Sequence, residues 1–186
     1  MNKIDILQLL GEKLKTYKNG KICTTAFNYA LENYSEIYIP KGVYYIDKPL
    51  VIRSDTTIVA DKEAEIILVK GTKTLLLKNQ SVIDGSDLKI AVDAPKDYNI
   101  TVCGGVWGEE NTERLGYGAS GCFDENDTFK GVSTCFLFSG VKNLTLKDIV
   151  FRQTAGFACQ IGRISDFLIE NIRFEKCFAD GLHVNG

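Results

Sequence analysis

The sequence predicts an all-β protein: a right-handed, single-stranded parallel β-helix with three strands per coil and a short N-terminal helical cap. The first observation is a repeat. Shifting residues 134–186 by 23 places Leu144, Leu146, Ile149, Phe151, Cys159 and Ile161 on Phe167, Ile169, Ile172, Phe174, Leu182 and Val184. One coil earlier, Phe136, Phe138 and Val141 fall on Cys159, Ile161 and Ile164. The second observation is the spacing inside the repeat. Apolar pairs one residue apart (Leu144/Leu146, Ile149/Phe151, Cys159/Ile161) follow the strand period, and no helix-length segment separates them. The third is charge. The same shift brings Lys147 onto Glu170, Arg152 onto Glu175, and the turn residue Asp148 onto Asn171.

Residues 4–15 carry Ile4, Leu7, Leu10 and Leu14 at helical spacing, ended by Gly20. Thr24 or Thr25 then opens a second helix with Phe27, Ala30 and Leu31 on one face. Short alternating segments follow at Ile37/Ile39, Val43/Tyr45, Leu50/Ile52, Ile66/Leu68, Leu75/Leu77, Leu88/Ile90 and Ile100/Val102. Turn residues such as Pro40-Lys41-Gly42, Ser54-Asp55 and Asp84-Gly85-Ser86 punctuate them. Residues 108–133 interrupt the repeat with Glu109, Glu110, Glu113, Arg114, Asp124, Glu125 and Asp127 among glycines and aromatics. They are expected to form an insertion loop, either one wall of a groove or a solvated excursion. No linker divides the chain. Residues 1–186 are therefore expected to be one β-helix domain, with a helical cap at 4–33 and coils over 36–186. A solenoid end left bare exposes apolar core and unpaired backbone. The cap covers one end. At the other, the chain reaches Asn185-Gly186 directly after a strand, so further coils or self-association are expected to cover it.

A net charge of -2 with no basic face argues against nucleic acid as a partner. Asp5 and Gln8 interrupt the apolar N-terminus, which argues against a signal peptide or a membrane span. The expected location is cytoplasmic, or secreted or periplasmic if a leader has been removed. Six cysteines without a Cys-x-x-Cys spacing, beside one histidine, do not make a zinc pattern. They are expected to be reduced and to act as small apolar residues, and neither metal nor cofactor is expected.

The third strand of each coil is the face with chemistry. With Leu182 and Val184 inward, His183 points outward, as does Asn185 if the strand continues. Gln160 occupies the same outward position one coil earlier, and Leu137 one coil before that. Asp180 lies at the mouth of this strand, followed by Gly181, which permits close approach of a ligand or of neighbouring backbone. Polar groups stacked about 4.8 Å apart from coil to coil suit an extended polymer of repeating hydroxyl and carboxylate groups.

Several segments resemble pectin-degrading β-helix enzymes. They are Tyr38-Ile39-Pro40-Lys41-Gly42-Val43-Tyr44 with Pro49-Leu50-Val51-Ile52, and Asn99-Ile100-Thr101-Val102-Cys103-Gly104-Gly105-Val106-Trp107. Val141-Lys142-Asn143-Leu144-Thr145-Leu146 and Ala179-Asp180-Gly181-Leu182-His183-Val184 complete the set. Together they are similar to the polygalacturonase family of glycoside hydrolases, family 28, over roughly residues 20–186. The resemblance implies inverting, metal-free hydrolysis of a pectic or other acidic polysaccharide. It implies Asp180 as a carboxylate that helps activate water; His183, Gln160 and Asn185 are expected to contact substrate from their outward positions on the third strand. Phe178-Ala179 stands where the family commonly has Asn-Thr, and the family's later Asp-Asp, Gly-His-Gly and Arg-x-Lys motifs have no counterpart before Gly186. The 186 residues alone are therefore expected to be inactive, as the N-terminal part of a hydrolase. Two alternatives remain at this point: a polysaccharide lyase on the same scaffold, and a non-catalytic carbohydrate-binding β-helix.

Overall fold

The computed structural model describes residues 2–11, 14–72, 74–82, 96–111 and 134–185. The strand expected at Leu88/Ile90 and residues 112–133 of the expected insertion lie outside them.

The chain opens with β1 (Lys3–Asp5), a 3₁₀ turn (Ile6–Leu9), β2 (Thr16–Tyr17), β3 (Gly20–Ile22) and the helix α1 (Thr24–Asn33). Next come β4 (Glu36–Ile39), β5 (Gly42–Ile46), β6 (Leu50–Ile52), β7 (Thr56–Ala60), β8 (Ala64–Leu68) and β9 (Leu77–Asn79). They are followed by β10 (Asp97–Cys103), β11 (Val106–Glu109), β12 (Thr134–Ser139), β13 (Val141–Lys147) and β14 (Val150–Arg152). The last four are β15 (Phe157–Gly162), β16 (Ser165–Glu170), β17 (Arg173–Glu175) and β18 (Leu182–Asn185).

These strands form three sheets. The first runs β1-β4-β7-β10-β13-β16, the second β17-β14-β11-β8-β5-β3-β2, and the third β18-β15-β12-β9-β6. Every pairing between described strands is parallel except the β2–β3 hairpin. The described residues are thus mostly β, with parallel sheets and one α-helix, as in a parallel β-helix. Each sheet contributes a column of inward side chains. The first column is Ile37, Ile58, Val102, Leu146, Ile169. The second is Tyr44, Ile66, Trp107, Phe151, Phe174. The third is Leu50, Leu77, Phe136, Cys159, Leu182. Their buried members meet in a single core, where each fully buried large side chain contributes about 1.5–3 kcal/mol. Phe151 lies flat against Phe174, with centroids 5.7 Å apart, and edge-on to Phe136 at 4.8 Å.

The polar rungs stack as well. Lys147 pairs with Glu170 at 3.1 Å and Arg152 Nε with Glu175 at 2.8 Å. The turns between sheets need left-handed backbone, which asparagine and aspartate tolerate best after glycine. Asp55, Asn99 and Asn143 all have positive φ and form a ladder: Asn99 donates to Asp55 at 2.7 Å and Asn143 to Asn99 at 2.8 Å. Asn171 donates to Asp148 at 2.6 Å in a second such turn.

Three expectations need correction. The described residues of 4–15 do not form an α-helix. Ile4 pairs with Ile37 in the first sheet, and the Asp5 carboxylate accepts from the Leu7 amide to start the 3₁₀ turn. Strand pairing along the sheet wins over helical spacing there. In β5 the inward residues are Tyr44 and Ile46, not Val43 and Tyr45. Tyr45 packs instead edge-on to Tyr17 at 4.9 Å and donates to Asn19 at 2.6 Å, covered by the β2–β3 hairpin. Finally, residues 108 and 109 belong to the repeat: Gly108 pairs with Ile67 and Arg152, and Glu109 with Leu68. The helix α1 is where Thr24, Phe27, Ala30 and Leu31 suggested, and its Asn28 bonds Pro49 and Val51 along the edge of β6.

Candidate functional site

The Asp180 segment docks by backbone before β18 begins. The Ala158 amide donates to Asp180 O at 3.0 Å and the Cys159 amide to Gly181 O at 2.9 Å. The Asp180 side chain is left outside the core, 60% exposed. Its Oδ2 lies 3.0 Å from His183 Nδ1. The imidazole in turn lies flat on Phe157, with centroids 4.3 Å apart and planes 9° apart. A carboxylate, an imidazole that orients it and an aromatic support therefore meet at one exposed lip. With Nδ1 protonated, His183 would fix one carboxylate oxygen and leave the other to a water or a hydroxyl. Gly181 has a packing reason as well: a Cβ there would sit 2.9 Å from the Phe174 ring.

The outward column of the third sheet reads Val51, Lys78, Leu137, Gln160, His183. It is not an exposed ridge. Leu137 is buried and packs with Leu75 and Val82 in a small second core. Lys78 is buried and donates to Val82 O at 2.9 Å. Gln160 is 0% exposed, and among the described residues neither of its amide atoms has a partner. The expectation that Gln160 contacts substrate at the surface is thus corrected: packing outside the third sheet closes the column up to the last coil. Asn185 pairs by backbone with Gly162, and its side chain lies outside the described residues.

A second feature escaped the sequence reading. On the outer face of the second sheet, a cleft of about 350 Å³ is lined by Ile67, Val106 and Gly108, with Lys18, Glu65, Lys70, Glu109, Glu110, Arg152 and Gln153 around it. Gly108 is dictated by close approach: a Cβ would sit 1.9 Å from Arg152 O. Glu109 is 7% exposed. Burial pushes its carboxyl up to about 7, against the pull of the Ala155 amide at 2.8 Å and the Asn111 amide at 3.4 Å. Burial also pushes Glu110 upward. Hydrogen bonds from Lys18, Tyr17 and the Lys70 amide outweigh it and hold Glu110 below the usual carboxylate range. The signal available in the sequence was Trp107-Gly108-Glu109: a missing side chain at an outward strand position, then an acid at an inward one.

The five described cysteines are free, and Cys159, which burial pushes up to about 12, stays a thiol. Among the described residues no three His, Cys, Asp or Glu side chains converge as a metal site. No helix among them is long and apolar enough to cross a membrane.

No protein-family profile matches the chain, and no curated protein does. Solved structures do. The surface protein and adhesin PfbA of Streptococcus pneumoniae is similar at 17% identity and a TM-score of 0.63, over 94% of this chain and 42% of that one. A second crystal structure of that adhesin is similar at 16% identity and a TM-score of 0.62, over 92% of this chain and 38% of that one. This chain therefore spans about two fifths of the PfbA chains, and the likeness is one of fold. A candidate glycosyl hydrolase from Parabacteroides merdae is similar at 10% identity over 95% of both chains, but its TM-score of 0.39 is too low to carry an argument.

Proposed function

We propose that this chain is the polysaccharide-facing part of a polygalacturonase-like, inverting glycoside hydrolase that acts on an acidic glycan. In this reading the three sheets are the sides of a right-handed helix with three strands per coil, capped at its start by α1 and the 3₁₀ turn. The observation that carries the reading is the exposed Asp180 carboxylate, held 3.0 Å from His183, itself stacked on Phe157. Asp180 accepts a proton from the attacking water, while His183 fixes the carboxylate's orientation. Inverting hydrolysis also needs an acid about 6.5–9.5 Å away to protonate the leaving oxygen. Among the described residues, the outward column of the third sheet offers no second carboxylate.

That gap favours a second reading, glycan binding without turnover. The fold shared with a surface adhesin suits it. Both readings require oligogalacturonate to engage Asp180 and His183. Titration calorimetry on the 186-residue chain is expected to show binding, weakened about tenfold by His183→Ala. A reducing-end assay is expected to show no release of product. Binding unaffected by both Asp180→Asn and His183→Ala would refute this site. Turnover by the chain, abolished by Asp180→Asn, would instead mean that the second carboxyl group lies within these 186 residues.

A further inference from the structure

We infer that the cleft on the outer face of the second sheet is a separate binding site for a carboxylate-bearing sugar unit. Its volume of about 350 Å³ falls within the roughly 300–1,000 Å³ of small-molecule sites. Its lining has two characters. Ile67, Val106 and the bare backbone of Gly108 make an apolar floor, which suits the C–H face of a pyranose ring. The rim is polar, and most of its charge is already committed. Glu110 takes hydrogen bonds from Tyr17, Lys18 and the Lys70 amide. Arg152 is shared between Glu65 at 3.4 Å and Glu175 at 2.8 Å. Glu109 accepts from the Ala155 and Asn111 amides.

Two groups are left over. The Lys70 ammonium has no partner among the described residues, although the Lys70 main chain is fixed by its bond to Glu110. The Gln153 side chain is exposed and carries both donor and acceptor. One uncommitted cation, one uncommitted amide and an apolar floor select a ligand with one anionic group, hydroxyls and a flat apolar face. This site is on a different sheet from Asp180 and stands or falls independently of it.

The test is ¹⁵N nuclear magnetic resonance on the intact chain, titrated with trigalacturonate and, separately, with neutral galactotriose. The amide resonances of Lys70, Gly108 and Gln153 are expected to shift saturably with the acidic sugar and to shift far less with the neutral one. Lys70→Glu is expected to weaken the response of those three resonances about tenfold while leaving that of His183 unchanged. Lys70→Gln removes the cation without adding an anion, and is expected to weaken the same three resonances' response by a smaller factor should Lys70→Glu unfold. The inference is overturned if the cleft resonances stay still, if galactotriose moves them equally, or if removing the Lys70 charge has no effect on them. A still cleft with a responding His183 sinks this site alone. A responding cleft with a still His183 sinks the third-sheet site alone.

Discussion

Replacing Glu109 by glutamine should remove most of the pH dependence of stability above the ordinary carboxylate range. Glu109 titrates at 4.5 when free and at about 7 in the fold, because burial disfavours its charge. Between these values the folded chain binds more protons than the unfolded chain. Stability therefore falls as pH rises through this window and levels off above pH 7. At about 1.36 kcal/mol per pH unit, the loss is about 3 kcal/mol. Glutamine keeps an oxygen for the Ala155 amide and carries no charge at any pH. Urea unfolding of both proteins at pH 5, 6, 7 and 8 isolates the effect, since every other titrating group is common to the two. The variant is expected to gain about 2.5 kcal/mol on the parent between pH 5 and pH 8. Glu110 and Glu175, held below the usual range, act only at more acid pH and with the opposite sign. Parallel stability profiles across pH 5–8 would show that Glu109 is not buried as described.

Two further perturbations probe the column order. Phe151→Ala removes a fully buried ring from between Trp107 and Phe174 and should cost about 3–5 kcal/mol by thermal or urea unfolding. A cost under about 1 kcal/mol would mean that the rings do not stack in this order. Gln160→Leu removes two buried amide atoms that have no partner among the described residues, and should stabilise the chain by about 1–3 kcal/mol. A loss of stability instead would reveal a hydrogen-bonding partner for Gln160.

Much of the later half was legible because its last rungs repeat at a constant interval. Asp148 and Asn171 are 23 residues apart, as are Arg152 and Glu175, and one shift found both. Earlier rungs are less regular. Asp55, Asn99 and Asn143 are spaced by 44, so a shift of 23 could not align them, and β7 went unread. Residues 4–15 failed for a different reason. Ile4 and Leu7 have helical spacing, but the free edge of β4 offers Ile4 a parallel partner in Ile37. A local period carries no information about an edge formed more than thirty residues away.

The candidate site divides in the same way. Outward direction at Gln160 and His183 followed from strand alternation, and the register places them side by side. Exposure did not follow, because it depends on what packs outside the sheet, and there Leu75 and Val82 cover Leu137. The Glu109 cleft was hidden by the assumption that glycine and clustered charge after Trp107 mark a loop. In the fold, that glycine lies in a strand, against the Arg152 carbonyl of the next one, where a Cβ would not fit.

His183 is the one histidine of the chain, so its imidazole resonances need no assignment by mutation. Following them while trigalacturonate is added tests most directly whether the last coil presents a glycan site. A saturable shift that is absent with galactotriose and reduced in Asp180→Asn is the expected result. Imidazole signals that stay fixed at saturating trigalacturonate would contradict it.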